Sequence, residues 1–69
     1  MKISARNRFK GKVVEVRKGQ TTAHVRIDVN GSIFMAAITN EAVDELGLKV
    51  GDAAYAVVKA SDVMVGVDG

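Results

Sequence analysis

The sequence predicts an all-β domain with one short helix, organised as a five-stranded OB-like Greek-key barrel. Three observations carry this prediction: strict apolar/polar alternation over residues 23–30, an Asn-Gly pair closing that run, and one helix-capping pattern between Thr39 and Gly47.

Taken in order, residues 9–17 form the first strand, because Val13, Val14 and Val16 favour a pleated, half-buried backbone, and Lys18-Gly19-Gln20 turns the chain. In the second strand Ala23, Val25, Ile27 and Val29 fall on one side and His24, Arg26, Asp28 and Asn30 on the other, a period of two that buries one face. Asn30-Gly31 favours the positive φ values of a type I′ turn, so residues 32–39 return antiparallel as a hairpin. Thr39-Asn40-Glu41-Ala42-Val43-Asp44-Glu45-Leu46-Gly47 then combines a capping Thr or Asn, an acidic first turn and a closing glycine, the marks of a short helix. Val43 and Leu46, three apart, are expected to face the barrel. Residues 53–59 and 62–67 supply the fourth and fifth strands.

Sixty-nine residues make one domain, 1–69, with neither proline nor a linker-like stretch. A chain this short buries only about 60% of the surface it exposes when unfolded. With no cysteine and a single histidine, disulfides and a structural zinc ion are closed as sources of extra stability, which leaves partner subunits. No apolar run approaches the roughly 20 residues that span a bilayer, and no leader pattern opens the chain. The expected setting is the cytoplasm. Formal net charge is +2, yet seven of the ten basic residues lie in the first 18 positions, so an anion is to be sought at that end.

Catalysis is disfavoured: the chain has no thiol, no histidine near a paired Ser or Asp, and no glycine-rich phosphate loop. His24 falls on the polar side of its strand and reads as a surface residue. The segment Ile3-Ser4-Ala5-Arg6-Asn7 differs in kind, since a hydroxyl, backbone amides and a guanidinium fork within a few residues are the donors that a tetrahedral dianion needs. A solvated chain terminus is the plainer reading of the same residues. Asn7 itself reads as a residue that bonds local backbone.

Ile3-Ser4-Ala5-Arg6-Asn7, Lys10-Gly11-Lys12-Val13, Ala36-Ala37-Ile38-Thr39 and Ala56-Val57-Val58-Lys59-Ala60-Ser61-Asp62-Val63-Met64, in this order and spacing, resemble the molbindin (Mop) family over almost the whole chain. Related modules end molybdate-responsive regulators and molybdate-transporter ATPases; the resemblance here is to the free-standing storage or buffering form. It implies an OB-like unit, strand exchange between paired subunits, a hexamer of three such pairs, and molybdate or tungstate held as an oxyanion at subunit interfaces, with no organic cofactor. Carried over by motif, the main site comprises Ser4, Ala5 through its backbone, Arg6, Thr39, Lys59, Ala60 through its backbone, and Ser61. A secondary oxyanion site is placed at the turn formed by Gly19, Gln20, Thr21 and Thr22.

A small nucleic-acid-binding barrel is the rival reading, since OB-like folds take single strands and the N-terminal half is basic. Only three aromatics are present, and Phe9, Phe34 and Tyr55 read as core or interface rather than stacking platforms. The stretch Leu46-Gly47-Leu48-Lys49-Val50-Gly51-Asp52 resembles swapped-hairpin transcription regulators over one turn only. A purely structural assembly module would leave Ser4, Arg6 and Lys59 without a task.

Overall fold

The computed structural model describes all 69 residues. Its elements are β1 (Asn7–Lys18), β2 (Thr22–Val29), β3 (Ser32–Thr39), α1 (Asn40–Leu46) and β4 (Ala53–Val58), followed by a single 3₁₀ turn, Ala60–Asp62. The four strands form one antiparallel sheet in the order β3-β2-β1-β4.

Local chemistry explains the joints. Asn30 and Gly31 take φ values of 51° and 93°, the left-handed pair that a two-residue hairpin requires, and Asp28 Oδ1 accepts from the Gly31 amide at 2.8 Å. Thr39 caps α1, its hydroxyl oxygen accepting from the Ala42 amide at 3.0 Å. At the other end Gly47 is left-handed at φ 62°, and Leu48 donates to the Val43 carbonyl while packing against the core, as a glycine-terminated helix does.

β1 is the axis of the fold. Val13 faces Ile27 and Val16 faces Val25, although an odd and an even position cannot share a face of a regular strand. A bulge at Val14 inserts the extra residue, so both valines point inward and Glu15 and Arg17 point outward beside Arg26 and His24. The core gathers Val13, Ala23, Val25 and Ile27 from β1 and β2, Val43 from α1 and Ala56 from β4.

Two expectations are corrected. There are four strands, and residues 62–67 do not form a fifth: Asp62 donates to the Lys59 carbonyl at 2.9 Å and Val63 to Ala60 at 3.3 Å, turning the chain away from the sheet. Val63, Val65 and Val67 keep the alternation of a strand, but without a neighbouring ladder they stay unpaired, Val65 and Val67 being 90% and 92% exposed. The sheet is consequently a half-barrel, open along β3 and β4. Leu46 is corrected in part: it borders the apolar groove beside the core but stays exposed, whereas Val43 is buried. A helix of seven residues meets β2 and β3 along one narrow line, and Val43 occupies it.

Beside the core lies an apolar groove of about 530 Å³, whose walls include Ile38, Leu46, Leu48 and Ala54 and carry no polar residue. No helix is long and apolar enough to cross a membrane.

Candidate oxyanion site

β1 begins where β4 ends. Asn7 and Val58 are cross-strand partners, so the register brings the segment Ser4, Ala5, Arg6 alongside Lys59, Ala60 and Ser61 at one end of the sheet. Ala5 is buried and anchors the first segment, whereas Ser4, Arg6, Lys59, Ala60 and Ser61 are exposed. The chain's first residues are tied further by the Arg8 guanidinium, which donates to the Met1 carbonyl at 3.2 Å.

Some basic side chains of the chain are engaged and others are not. Arg26 and Arg17 are both committed to Glu15, and Lys18 is committed to Asp44. Ser4, Arg6, Lys59 and Ser61 take part in none of the side-chain hydrogen bonds or ion pairs within the chain. A guanidinium, an ammonium and two hydroxyls thus sit on the two segments that continue the β1–β4 ladder, exposed and without an internal hydrogen-bond or ion-pair partner, with the Asp62 carboxylate in the same turn. Such a set offers donors to an acceptor-rich guest, and two adjacent cations favour a guest with two negative charges.

Thr39 is not part of this cluster. It pairs with Thr22 at the opposite end of the sheet, where Asn40 donates from its backbone to the Thr21 carbonyl and from Nδ2 to the Gly19 carbonyl, both at 2.9 Å. The two ends are the opposite termini of the 12-residue β1, although the curl of the sheet brings Ile38 and Val58 onto the walls of one groove. Within one chain, therefore, Thr39 lies with Gly19, Gln20, Thr21 and Thr22, while the other main-site residues assemble without it. Its cap bond uses the hydroxyl oxygen as acceptor and leaves the hydroxyl proton free to donate. The resemblance implied segments meeting from neighbouring subunits; within one chain the β1–β4 register also brings the two terminal segments to the same end of the sheet.

Several features were beyond sequence reasoning. The bond from Asn7 Nδ2 to the Val58 carbonyl spans 51 positions, and its only sequence signal is that Asn7 completes the Ser-Ala-Arg-Asn run. The Glu15–Arg26 pair becomes visible only once the bulge register is known. Phe9 and Phe34 stack on one another with centroids 5.4 Å apart, and Tyr55 is half exposed on β4.

The pattern of the TOBE domain matches residues 3–65. The chain is 51% identical to a probable molybdenum-pterin-binding protein of Haemophilus influenzae, covering 99% of this chain and all of the relative. Among solved structures it superposes with a TM-score of 0.92 on a molybdate-binding protein from Sporomusa ovata, 40% identical, over 97% of this chain and 100% of that one. A TM-score of 0.91 relates it to the cytoplasmic molybdate-binding protein ModG with molybdate bound, 42% identical, over 99% of this chain and 49% of that one.

Proposed function

The chain belongs to the TOBE domain family, and from that membership we propose that it binds molybdate, and tungstate equally, as a cytoplasmic store or buffer without catalytic activity of its own. What supports this reading is the register of the β1–β4 ladder, which ends at Asn7 and Val58 and so brings the segments carrying Ser4, Arg6, Lys59 and Ser61 to one end of the sheet, with none of those side chains engaged within the chain. The donor set fits the guest by its chemistry. A fully deprotonated tetrahedral dianion accepts on all four oxygens, whereas hydrogen phosphate brings a proton that needs an acceptor. Sulfate is smaller than molybdate and fills a rigid cage less well; tungstate matches molybdate in size and charge.

The cage is completed in an oligomer, a hexamer of three strand-exchanged pairs, in which Thr39 of one subunit approaches the terminal segments of another. Size and shape support association. The chain exposes 5471 Å², against about 4,200 Å² expected for a folded monomer of its mass. Its radius of gyration is 12.9 Å, where about 11 Å is expected of a compact chain of this length. The surplus apolar surface includes the groove and the tail, and residues 62–67 become the fifth strand when they pair with the open edge of a second subunit.

Calorimetric titration with molybdate, tungstate, sulfate, phosphate and a single-stranded oligonucleotide tests the reading. Tight binding of the first two, weak sulfate binding and oligonucleotide binding that vanishes in moderate salt are expected. Arg6→Ala and Lys59→Ala should each weaken molybdate binding by about 1.5–3 kcal/mol, as the loss of a charged hydrogen bond does. Unchanged affinity in both variants places the anion elsewhere.

A further inference from the structure

We propose that Asn7 is a positioning residue of the oxyanion site: without touching the ligand, its amide holds the turn that carries Lys59, Ala60 and Ser61 in register with Ser4 and Arg6. The inference rests on the binding reading given above, and it concerns how the two halves of that site keep their spacing.

Asn7 is the first residue of β1 and Val58 the last of β4, so the ladder between the two strands ends at this pair. Pairs at the end of a ladder open at little cost. Here the half-buried Asn7 side chain adds a second tie, Nδ2 donating to the Val58 carbonyl at 3.1 Å. Immediately beyond Val58 come Lys59 and the 3₁₀ turn, whose backbone bonds, Asp62 to Lys59 and Val63 to Ala60, all lie within the turn itself. No side-chain hydrogen bond or ion pair joins residues 59–63 to the rest of the chain. The turn is therefore stiff internally and anchored mainly at its two ends.

Both ends face Asn7. Val58 precedes the turn and Val63 follows it, and together with Asn7, Phe9 and Phe34 they wall a cleft of about 340 Å³ on the inner side of the sheet. The stacked Phe9 and Phe34 rings give this cleft a fixed floor. Asn7 is the polar member of that wall and forms the hydrogen bond at its rim. Removal of the amide releases the turn to swing about Val58, and binding must then order it again, which lowers affinity without loss of any donor to the anion.

The test compares the full chain with Asn7→Leu, which keeps the volume and suits an apolar cleft but cannot donate, and Asn7→Gln, which keeps an amide on a longer arm. Asn7→Leu should weaken molybdate binding about tenfold, the scale seen when an outer-shell partner of a ligand-holding group is lost, and Asn7→Gln should recover part of it. Amide hydrogen exchange at Ser61 and Asp62 should quicken in ligand-free Asn7→Leu, with that of Val13 and Val25 unchanged. Wild-type affinity in Asn7→Leu, or unaltered exchange at Ser61 and Asp62, overturns the inference; so does a fall in thermal midpoint with affinity retained, the signature of a purely structural asparagine. If the wild-type chain takes no molybdate, the binding reading fails instead, and the exchange contrast still decides whether Asn7 holds the turn.

Discussion

Gly11 lies where β1 crowds against residues 27–29 of β2. A Cβ placed there would stand 2.5 Å from the Asp28 carbonyl oxygen and under 3 Å from methyl groups of Ile27 and Val29, and a backbone atom cannot step aside as a side-chain tip does. Gly11→Ala should cost about 1–3 kcal/mol, the range for overpacking, read as a lowered urea midpoint with unchanged slope. Thr39 carries two duties that one substitution separates. Thr39→Ala removes the cap of α1 and should destabilise by about 1 kcal/mol, whereas Thr39→Asn keeps a capping oxygen but loses the hydroxyl donor. Equal stability with weaker molybdate binding in Thr39→Asn would show the hydroxyl at work in the cage; equal affinity would confine Thr39 to capping. At this scale the sequence was legible wherever a rule is local. Asn30-Gly31, Thr39 and Gly47 each announce their conformation within a few residues. Gly11 and Asn7 do not, because their reasons lie on strands 17 and 51 positions away.

The elements divide along the same line. Residues 23–30 and 32–39 were readable because apolar alternation and a two-residue turn fix both the strands and their pairing. β1 was readable as a strand but not in its register, since nothing in Val13-Val14-Glu15-Val16 says which valine is the extra one. Deleting Val14 should remove the bulge and leave a regular ladder, with Val13 and Val16 still inward and Glu15 and Arg17 still outward; inserting a residue between Glu15 and Val16 should instead send Val16 outward and Glu15 or Arg17 toward the core, which a charge in an apolar core forbids. Circular dichroism should show the sheet retained in the Val14 deletion and lost in the insertion. The tail taught the opposite lesson. Its period of two predicted a strand, but alternation does not supply a partner, and residues 63–69 pair with no strand of the sheet. Val65→Asp together with Val67→Asp should leave the fold of β1 to β4 intact and reduce the size of the assembly in light scattering. An assembly of unaltered size would remove the tail from the interface.

For the whole molecule, seven buried residues are few to hold 69 in place, so folding and association should be one event. Dilution should lower the thermal midpoint, as it does for any oligomer whose subunits are marginal alone. Molybdate at a hundredfold excess over its dissociation constant should stabilise the assembly by about 2.7 kcal/mol per site if the site belongs to the folded form only. A midpoint indifferent to both concentration and molybdate would argue for a stable monomer and against a shared cage. None of this was legible in composition beyond the bare need for partners: apolar content of 48% says that surface must be covered but not which edge covers it.

The length of β1 has one more consequence. Arg6 and Lys59 lie by one terminus of β1 and Thr39 by the pair at its other terminus, so a subunit presents the proposed cage residues at two places rather than one. In the proposed oligomer each copy would take part in two cages, so a single defective copy would spoil both. In mixtures of sound and Arg6→Ala, Thr39→Asn chains, capacity for the anion would then fall faster than the fraction of sound chains.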